Sequence, residues 1–313
     1  MGKSSPHSAQ SPAATTGRYP IRTVCSLTGV NPVTLRAWER RYNLITPQRT
    51  AKGHRLYTQM DIDRIHRVLA LLDQGISIGQ AGKLLEQESS ANIQLQESEY
   101  PDIWQHYRER MEASIRRFDE TTLDAIYNDA LSLYPVDVVN SRLTTPILRN
   151  FGDRWKEEPV TIAEEHFFSV YLRNKLGSRI HHLNQRNSGP LLLLCCLPGE
   201  FHEIGMLFFA LAAVDRWYRV LLLGANMPLD QIPGVIEQQP CEAIILSGSA
   251  RPARGLFQDA LPQLVRNTSI PVFVGGGVAE RNRETIENAG AICAGKDIKP
   301  ALGIIDKTLS AAA

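Results

Sequence analysis

Apolar positions recur at helical spacing through the first half of the chain. Residues 101–185 keep this period without any strand-like alternation, which predicts a helical bundle. Its four helices are expected over 102–118, 120–134, 136–155 and 162–183. Thr161 and Glu164 have the spacing of a capping box, and we expect them to cap the last of these helices.

Near the amino terminus the pattern predicts two short helices separated by a turn. Asn31 has the residue type of a helix cap, and Pro32 suits the first helical position because its missing N–H is not needed there. The second helix is expected to run to about Tyr42, with Leu35 and Trp38 on its buried face.

The segment 46–57 then reads as a hairpin wing with several basic residues, followed by two more helices. Thr58 with Asp61, and Ser77 with Gln80, have the spacing of capping boxes that start these helices.

From Pro190 onward, apolar strands alternate with helical stretches. The strands are expected at 191–197, 219–223, 243–246, 272–274 and 291–293. Five strand–helix repeats predict a parallel doubly wound α/β sheet, and the flavodoxin-like strand order 2-1-3-4-5 is the natural expectation.

These patterns divide the 313 residues into several regions. We expect a loose tail at 1–17, a helical head with a wing at 18–87, a polar linker at 88–100, a four-helix bundle at 101–187 and the α/β domain at 188–313. The tail lacks the apolar core of a signal peptide, and no apolar run is long enough to span a membrane. We therefore expect a cytoplasmic protein.

Charge is unevenly distributed although the net charge is only +1. Ten Lys and Arg residues stand against three Asp and Glu residues between Arg18 and Arg67. One basic head on an otherwise acidic chain predicts a nucleic-acid contact confined to that end. Val33, Arg36 and Arg40 share one face of the second helix, where they are free to enter a major groove.

The head resembles the winged-helix DNA-binding domain of the MerR family of transcription regulators. The matching blocks are Thr34–Tyr42, Gly53–Tyr57, Asp61 with Ile65, and Gly75–Ile78. The resemblance implies base reading by Arg36 and Arg40, backbone contacts from the wing, and a dimer on double-stranded operator DNA with two-fold symmetry. The full set of DNA-binding residues that we expect is Val33, Thr34, Arg36, Arg40, Arg41, Arg49, His54, Arg55 and Tyr57.

Three unusual loops follow strands one, three and four of the α/β domain. They are Glu200–Gly205, Ser247–Ser249 and Gly275–Gly277. In the expected strand order these strands are neighbours, so the three loops meet at the sheet edge where such folds bind ligands.

Together the loops resemble the cobalamin-binding domain of B12-dependent enzymes and sensors. The resemblance implies that His202 is the lower axial ligand of cobalt and that Glu200 hydrogen-bonds its other ring nitrogen. Gly205 completes the first motif, and Ser249 stands where leucine is usual. The remaining residues expected beside the buried nucleotide tail are Ser247, Gly275, Gly276 and Gly277.

The bundle carries a further pattern, in which Trp155 precedes the Glu165-His166 pair by nine intervening residues. This resembles the B12-dependent light-sensing MerR-type repressors of the CarH/LitR group. It implies that Trp155 and Glu165 cap the adenosyl group of adenosylcobalamin, with His166 supporting the pocket. Some members have a cobalt-binding histidine directly after the tryptophan, whereas this chain has Lys156, which has no free lone pair when protonated.

The sequence therefore predicts a transcriptional regulator, not an enzyme, which represses in darkness with adenosylcobalamin and assembles as a dimer or tetramer. One alternative is a MerR-type regulator that binds no corrinoid and senses another signal, for example redox state through Cys195, Cys196 or Cys293. Another is an enzyme class, a corrinoid methyl carrier or mutase subunit. A DNA-binding head has no place in that system, and no substrate barrel accompanies the α/β domain.

Overall fold

The computed structural model of the chain describes residues 18–88, 103–154, 161–249 and 251–312. Two compact units divide the chain. The first comprises residues 1–103 together with 129–135, and the second comprises 104–128 together with 136–313.

The first unit contains a helical head with a small antiparallel sheet. Its helices are α1 (Ile21–Thr28), α2 (Pro32–Tyr42), α3 (Gln59–Asp73) and α4 (Ile78–Glu88). Its strands are β1 (Tyr19–Pro20), β2 (Gln48–Arg49) and β3 (Arg55–Tyr57), in the order β1-β3-β2. The predicted wing hairpin is confirmed by the pairing of β2 with β3. The two-residue strand β1 was not predicted, because so short a segment carries no alternation.

Local capping sets where the helices of the head begin. The Asn31 side chain accepts hydrogen bonds from the backbone N–H groups of Val33 and Thr34, each at 2.9 Å. Thr58 and Asp61 form the predicted reciprocal capping box at the start of α3. A similar exchange joins Ser77 and Gln80, whose backbone N–H groups each bond to the other side chain. These three predictions are confirmed.

Helices of the second unit precede its sheet. They are α5 (Ile103–Arg116), α6 (Glu120–Leu133), α7 (Val136–Val139), α8 (Thr145–Arg154) and α9 (Thr161–Asn184), with the ends of α5 and α6 belonging to the first unit. Aromatic pairs join them, including Tyr127 with Tyr171 at 6.1 Å and Phe151 with Phe168 at 6.3 Å between ring centroids.

The third predicted helix is interrupted, because a π-helical turn at Asn140–Thr144 separates α7 from α8. Pro146 explains the irregularity, since it has no N–H to donate to the carbonyl of Arg142, four residues earlier. Arg108 instead donates to that carbonyl from α5 at 3.1 Å.

The predicted capping box at Thr161 is wrong. Thr161 is already helical in α9, so this residue does not occupy the extended position that a cap requires. The Thr161 hydroxyl and one carboxylate oxygen of Glu164 are buried, and neither has a hydrogen-bond partner among the residues that the structure describes.

The α/β domain has the predicted architecture. Its strands are β4 (Leu191–Cys196), β5 (Arg219–Gly224), β6 (Ala243–Ser247), β7 (Val272–Gly275) and β8 (Ile292–Gly295). They lie parallel in the order β5-β4-β6-β7-β8, which confirms the order 2-1-3-4-5. Every residue of β4 is buried, as expected for a central strand covered on both faces.

The register of this sheet brings the three motif loops to one edge. Cys196 is level with Ser247, and Ser247 is level with Gly275. The loops that follow β4, β6 and β7 therefore begin side by side, as the sequence predicted.

Helices follow the strands with more breaks than expected. They are α10 (Ile204–Asp215), α11 (Ile232–Gln238), α12 (Leu261–Arg266), α13 (Gly277–Arg281), α14 (Arg283–Asn288) and α15 (Ile298–Ala312). A 3-10 turn at Leu229–Gln231 precedes α11, and a π-helical turn at Leu256–Ala260 precedes α12. Within the described part of the chain, no helix is long and apolar enough to cross a membrane.

Candidate functional site

Helix α2 presents an exposed face that combines one apolar and several basic side chains. Val33 is 60% exposed, and Arg36, Arg40 and Arg41 are exposed as well. The opposite face is anchored by Trp38, whose side chain is fully buried. This division agrees with a helix that packs on one side and offers the other to a groove.

An acidic residue on α2 ties the wing to the helix. The Glu39 carboxylate accepts from Arg55 Nε at 2.5 Å and from Arg49 Nη2 at 3.2 Å. The Arg55 side chain is only 19% exposed, whereas that of Arg49 is 55% exposed. Arg55 therefore orients the wing, and Arg49 and the exposed His54 remain open to a phosphate.

Two of the expected DNA-binding residues are not at the surface. Tyr57 is fully buried, and burial raises the pKa of its hydroxyl to about 12. Thr34 is fully buried too, and its hydroxyl lies 3.5 Å from the carbonyl oxygen of Leu131. Both predictions are corrected by this packing, because Tyr57 faces the core from strand β3 and Thr34 lies against Leu131.

A buried carboxylate at the end of β4 holds the candidate cobalt ligand. Glu200 is 3% exposed, and its Oε1 lies 2.7 Å from His202 Nδ1. The same oxygen accepts from the backbone N–H of His202 at 2.9 Å. Because an ionised carboxylate only accepts, Nδ1 carries the proton, and Nε2 keeps its lone pair when the ring is neutral.

The imidazole of His202 is accessible, since 58% of the side chain is exposed. No described residue forms a hydrogen bond or ion pair with its Nε2. A carboxylate behind a histidine fixes the tautomer and ring orientation that a metal ligand needs. The predicted Glu200–His202 pair is thus brought together by the structure.

The second oxygen of Glu200 is held by the loop that follows β6. Glu200 Oε2 accepts from the backbone N–H of Ser249 at 2.5 Å and from its hydroxyl at 2.8 Å. Leucine, the usual residue at this position, would offer no hydroxyl. Serine in place of leucine thus adds a hydrogen bond from the Ser249 hydroxyl to the Glu200 carboxylate. This role of Ser249 was not predicted from the sequence.

Two of the motif glycines have different structural roles. Gly276 adopts a φ of 86°, and a Cβ there would lie 2.4 Å from the carbonyl oxygen of Gly248. Glycine is therefore required at position 276 for the loop after β7 to pack against the loop after β6. A Cβ at Gly205 would meet nothing within 4 Å, so that glycine leaves open space at the start of α10.

The remaining motif residues lie along the same edge. Ser247 is half-buried, and its carbonyl accepts from the backbone N–H of Leu197 at 2.9 Å. Gly275 is half-buried beside it, and Gly277 begins α13 against the guanidinium of Arg281.

The cap residues predicted on the bundle are only partly covered by the structure. Trp155 and Lys156 lie outside the described residues. Glu165 accepts from the Ser169 hydroxyl at 2.9 Å, whereas the His166 side chain is 72% exposed.

The loop that carries His202 is supported by two side chains that were not predicted from the sequence. Arg173 of α9 forms an ion pair with Glu203, the residue after His202. Asn226, after β5, accepts from the backbone N–H of Gly199 at 2.8 Å. Asn226 also donates its own backbone N–H to the Glu200 carbonyl at 2.8 Å. Neither residue falls in a motif, and only the juxtaposition of distant segments reveals them.

The cysteines do not favour a redox sensor. Cys195 and Cys196 are buried, and burial raises the pKa of each thiol to about 12. Reaction with oxidants needs the thiolate, which is scarce at such a pKa. Cys293 is buried as well and donates to the Ala279 carbonyl at 3.4 Å.

Comparison with protein families identifies two regions. A family described as "MerR HTH family regulatory protein" matches residues 19–88. A family described as "B12 binding domain" matches residues 107–179, which fall on the helices that precede the sheet. Fold and sequence together thus define a DNA-binding transcriptional regulator with a MerR-type helix-turn-helix head and a B12-binding domain.

Full-length relatives narrow this class. The HTH-type transcriptional repressor CarH of Myxococcus xanthus is 31% identical over 281 residues, covering 86% of this chain and 92% of the relative. The HTH-type transcriptional repressor CarA of the same organism is 29% identical over 274 residues, covering 87% and 91%. The chain belongs to this family of HTH-type transcriptional repressors, and it is a regulator rather than an enzyme.

One solved structure supports the fold of the carboxyl-terminal part. The monomethylamine corrinoid protein of Methanosarcina barkeri superposes with a TM-score of 0.51 at 14% identity, over 65% of this chain and 99% of that one. At this identity the similarity concerns the fold alone.

Proposed function

We propose that this regulator represses transcription in darkness while it carries adenosylcobalamin, and that light releases it from DNA. The observation that carries the proposal is the buried Glu200 carboxylate held on one side by Ser249 and on the other by His202. The relatives support a repressor, and the B12-binding family match supports a corrinoid.

The residues at the sheet edge suit such a group. His202 offers its Nε2 as a nitrogen donor on an exposed ring, and Glu200 keeps that ring oriented. Open space at Gly205 lets a large flat ligand approach the backbone. When bound, adenosylcobalamin would supply a cobalt ion that accepts a nitrogen donor, together with a light-sensitive cobalt–carbon bond.

Each motif residue then has a proposed role. His202 would hold the cobalt ion, and Glu200 with Ser249 would orient its ring. The residues proposed to line the nucleotide tail are Ser247, Gly275, Gly276 and Gly277. Trp155 and Glu165 are proposed to cover the adenosyl group, with His166 beside them.

The ion pair between Arg173 and Glu203 offers a route from the site to the bundle. It joins α9 to the residue that follows His202. A shift of α9 relative to the loop would break this contact, so the bundle and the loop are expected to respond together. A ligand that contacts the two arrangements differently would shift the balance between them.

For the head, we propose that Arg36 and Arg40 read base edges while Val33 contacts a thymine methyl group. Arg41, Arg49 and His54 are proposed to contact phosphates. The active form is proposed to be a homo-oligomer, a dimer or tetramer, which binds a two-fold operator.

The test compares the dark and illuminated forms of the full chain loaded with adenosylcobalamin. Absorption spectra, size-exclusion profiles and operator binding are measured in darkness and after green light. We expect a larger assembly that binds DNA in darkness, and a smaller one that does not after light. Equal DNA affinity in both conditions would refute the light-dependent part of the proposal.

A pair of variants isolates the proposed cobalt ligand. His202→Ala is expected to lose the spectral features of a nitrogen-ligated corrinoid. His182→Ala, at an exposed position near the end of α9, is the matched control and should retain them.

A further inference from the structure

A cavity of about 900 Å³ opens at the carboxyl ends of β6 and β7. Residues from the segment after β6 and from α13 line it, among them Arg251, Arg254, Phe257, Asp259 and Arg281. Its volume falls in the range of about 300–1,000 Å³ that is typical of small-molecule sites. None of these residues has a role in the function proposed above.

The charge of the cavity is its most informative property. Three arginines face one carboxylate, that of Asp259. Among the described residues, no ion pair or side-chain hydrogen bond involves the side chain of Arg251 or Arg254, and both are exposed. Arg281 donates to a backbone carbonyl, that of Ser249, at 2.6 Å. An anion in the cavity would relieve the mutual repulsion of these guanidinium groups.

The arginines also indicate the chemical class of that anion. A guanidinium group presents its N–H groups as a planar fork that matches two oxygens of a phosphate. The cavity has room for more than one phosphate group, and Phe257 contributes an apolar part of its lining. These features fit a phosphate-bearing molecule of nucleotide size.

We propose that this cavity binds the phosphate group of a nucleotide through Arg251, Arg254 and Arg281. Two sources share this chemistry: a free nucleotide, and the nucleotide tail of a corrinoid. The second source rests on the function proposed above, whereas the first does not.

The cavity is connected to His202 by consecutive hydrogen bonds. Arg281 Nη2 donates to the Ser249 carbonyl at 2.6 Å, and the Ser249 hydroxyl donates to Glu200 Oε2 at 2.8 Å. Glu200 Oε1 then lies 2.7 Å from His202 Nδ1. A phosphate that draws Arg281 away from Ser249 therefore acts on the residue that holds the Glu200–His202 pair.

The first arm of the test measures binding of pyrophosphate and ADP to the full chain by calorimetry at fixed ionic strength. The double variant Arg251→Gln with Arg254→Gln removes the two arginines that have no partner, so its fold is expected to be intact. Each lost charge-assisted hydrogen bond weakens binding by about tenfold or more. Arg266→Gln with Arg283→Gln is the control, because both residues are exposed and neither lines the cavity.

The second arm compares cobalamin with cobinamide, a corrinoid that lacks the nucleotide tail. If the cavity holds the tail phosphate, the double variant loses affinity for cobalamin by about tenfold and keeps its affinity for cobinamide. If it holds a free nucleotide, both corrinoids bind unchanged and the loss is confined to pyrophosphate and ADP.

The proposal is overturned if the double variant matches the control in both arms. It is overturned equally if wild-type protein binds neither pyrophosphate nor ADP and its preference for cobalamin over cobinamide is the same in the variant. Absence of corrinoid binding by wild-type protein would contradict the proposed function instead, and the first arm alone would then decide the phosphate site.

Discussion

Helix α2 and the loop after β4 present their functional side chains by different means. Arg36 and Arg40 project from a helix whose start is set by Asn31, a residue only a few positions away. His202 is positioned by Glu200, which in turn is held by Ser249 from another strand–helix connection. Short-range contacts thus organise the exposed face of α2, whereas long-range contacts organise the sheet edge that carries His202.

This difference affects how each region should tolerate change. A side chain on an exposed helix face can be replaced with little loss of stability, because it touches few neighbours. A residue in the interlocked loops takes part in the packing of two or three segments at once. Substitutions in the interlocked loops are therefore expected to have larger effects on stability than substitutions on the exposed face of α2.

Gly276→Ala should lower the free energy of unfolding by about 3 kcal/mol, because the residue adopts a backbone conformation restricted to glycine. The new Cβ would also strike the Gly248 carbonyl oxygen, 2.4 Å away. Thermal unfolding followed by circular dichroism measures the loss. Gly177→Ala is the control, since α9 leaves open space there, and alanine should stabilise this helix by about 0.5–1 kcal/mol. Equal stability of the two variants would show that the loops are not interlocked as described.

Glu200→Gln should weaken corrinoid binding by about 10- to 100-fold, as is typical when the partner of a metal-binding histidine is changed. The Glu200 carboxylate uses one oxygen for His202 Nδ1 and the other for the Ser249 donors. A glutamine amide has only one acceptor oxygen, so it cannot accept from both partners. Absorbance titration with cobalamin provides the measurement.

Glu280→Gln is the matched control for that substitution. Glu280 is a half-exposed residue of the same domain, paired with Lys296 at 3.2 Å. If both variants bound cobalamin as tightly as wild type, the Glu200 carboxylate would have no part in positioning the ligand.

Arg36→Ala should lose about 1–3 kcal/mol of discrimination between operator and random DNA, because a base-reading arginine specifies sequence. Arg49→Ala should instead weaken all sequences alike and reduce the salt slope by about one. Fluorescence anisotropy at several salt concentrations separates these effects. Equal losses on specific and random DNA for both variants would contradict the placement of the recognition helix.

Local signals in the sequence were sufficient for much of the fold. Asn31 and Thr58 were expected to start helices from their residue types and spacing, and they do. The alternation of strands and helices after Pro190 was sufficient to predict the strand order of the sheet, because only a few topologies are common for parallel strands joined by helices.

For the sheet edge that carries His202, the sequence predicted which loops meet there but not which hydrogen bonds join them. The sequence placed Glu200 near His202, two positions away. The hydrogen bond from Ser249 to Glu200 joins residues 49 positions apart, and the one from Arg281 to Ser249 joins residues 32 positions apart. The periodicity of a sequence does not predict contacts over such separations. For the same reason the ion pair between Arg55 and Glu39, 16 positions apart, was not predicted.

The smallest expected effect concerns two threonines that have the same local motif but different surroundings. Thr58 makes its capping box with Asp61, so Thr58→Ala should lower the free energy of unfolding of the head by about 1 kcal/mol. The Thr161 hydroxyl is buried and has no partner within the described part of the chain, so Thr161→Val should be neutral or slightly stabilising, since valine has the same shape without a polar group. Urea unfolding of both variants gives the comparison. A loss of about 1 kcal/mol or more for Thr161→Val would mean that this hydroxyl does cap α9, and that the sequence motif was read correctly after all.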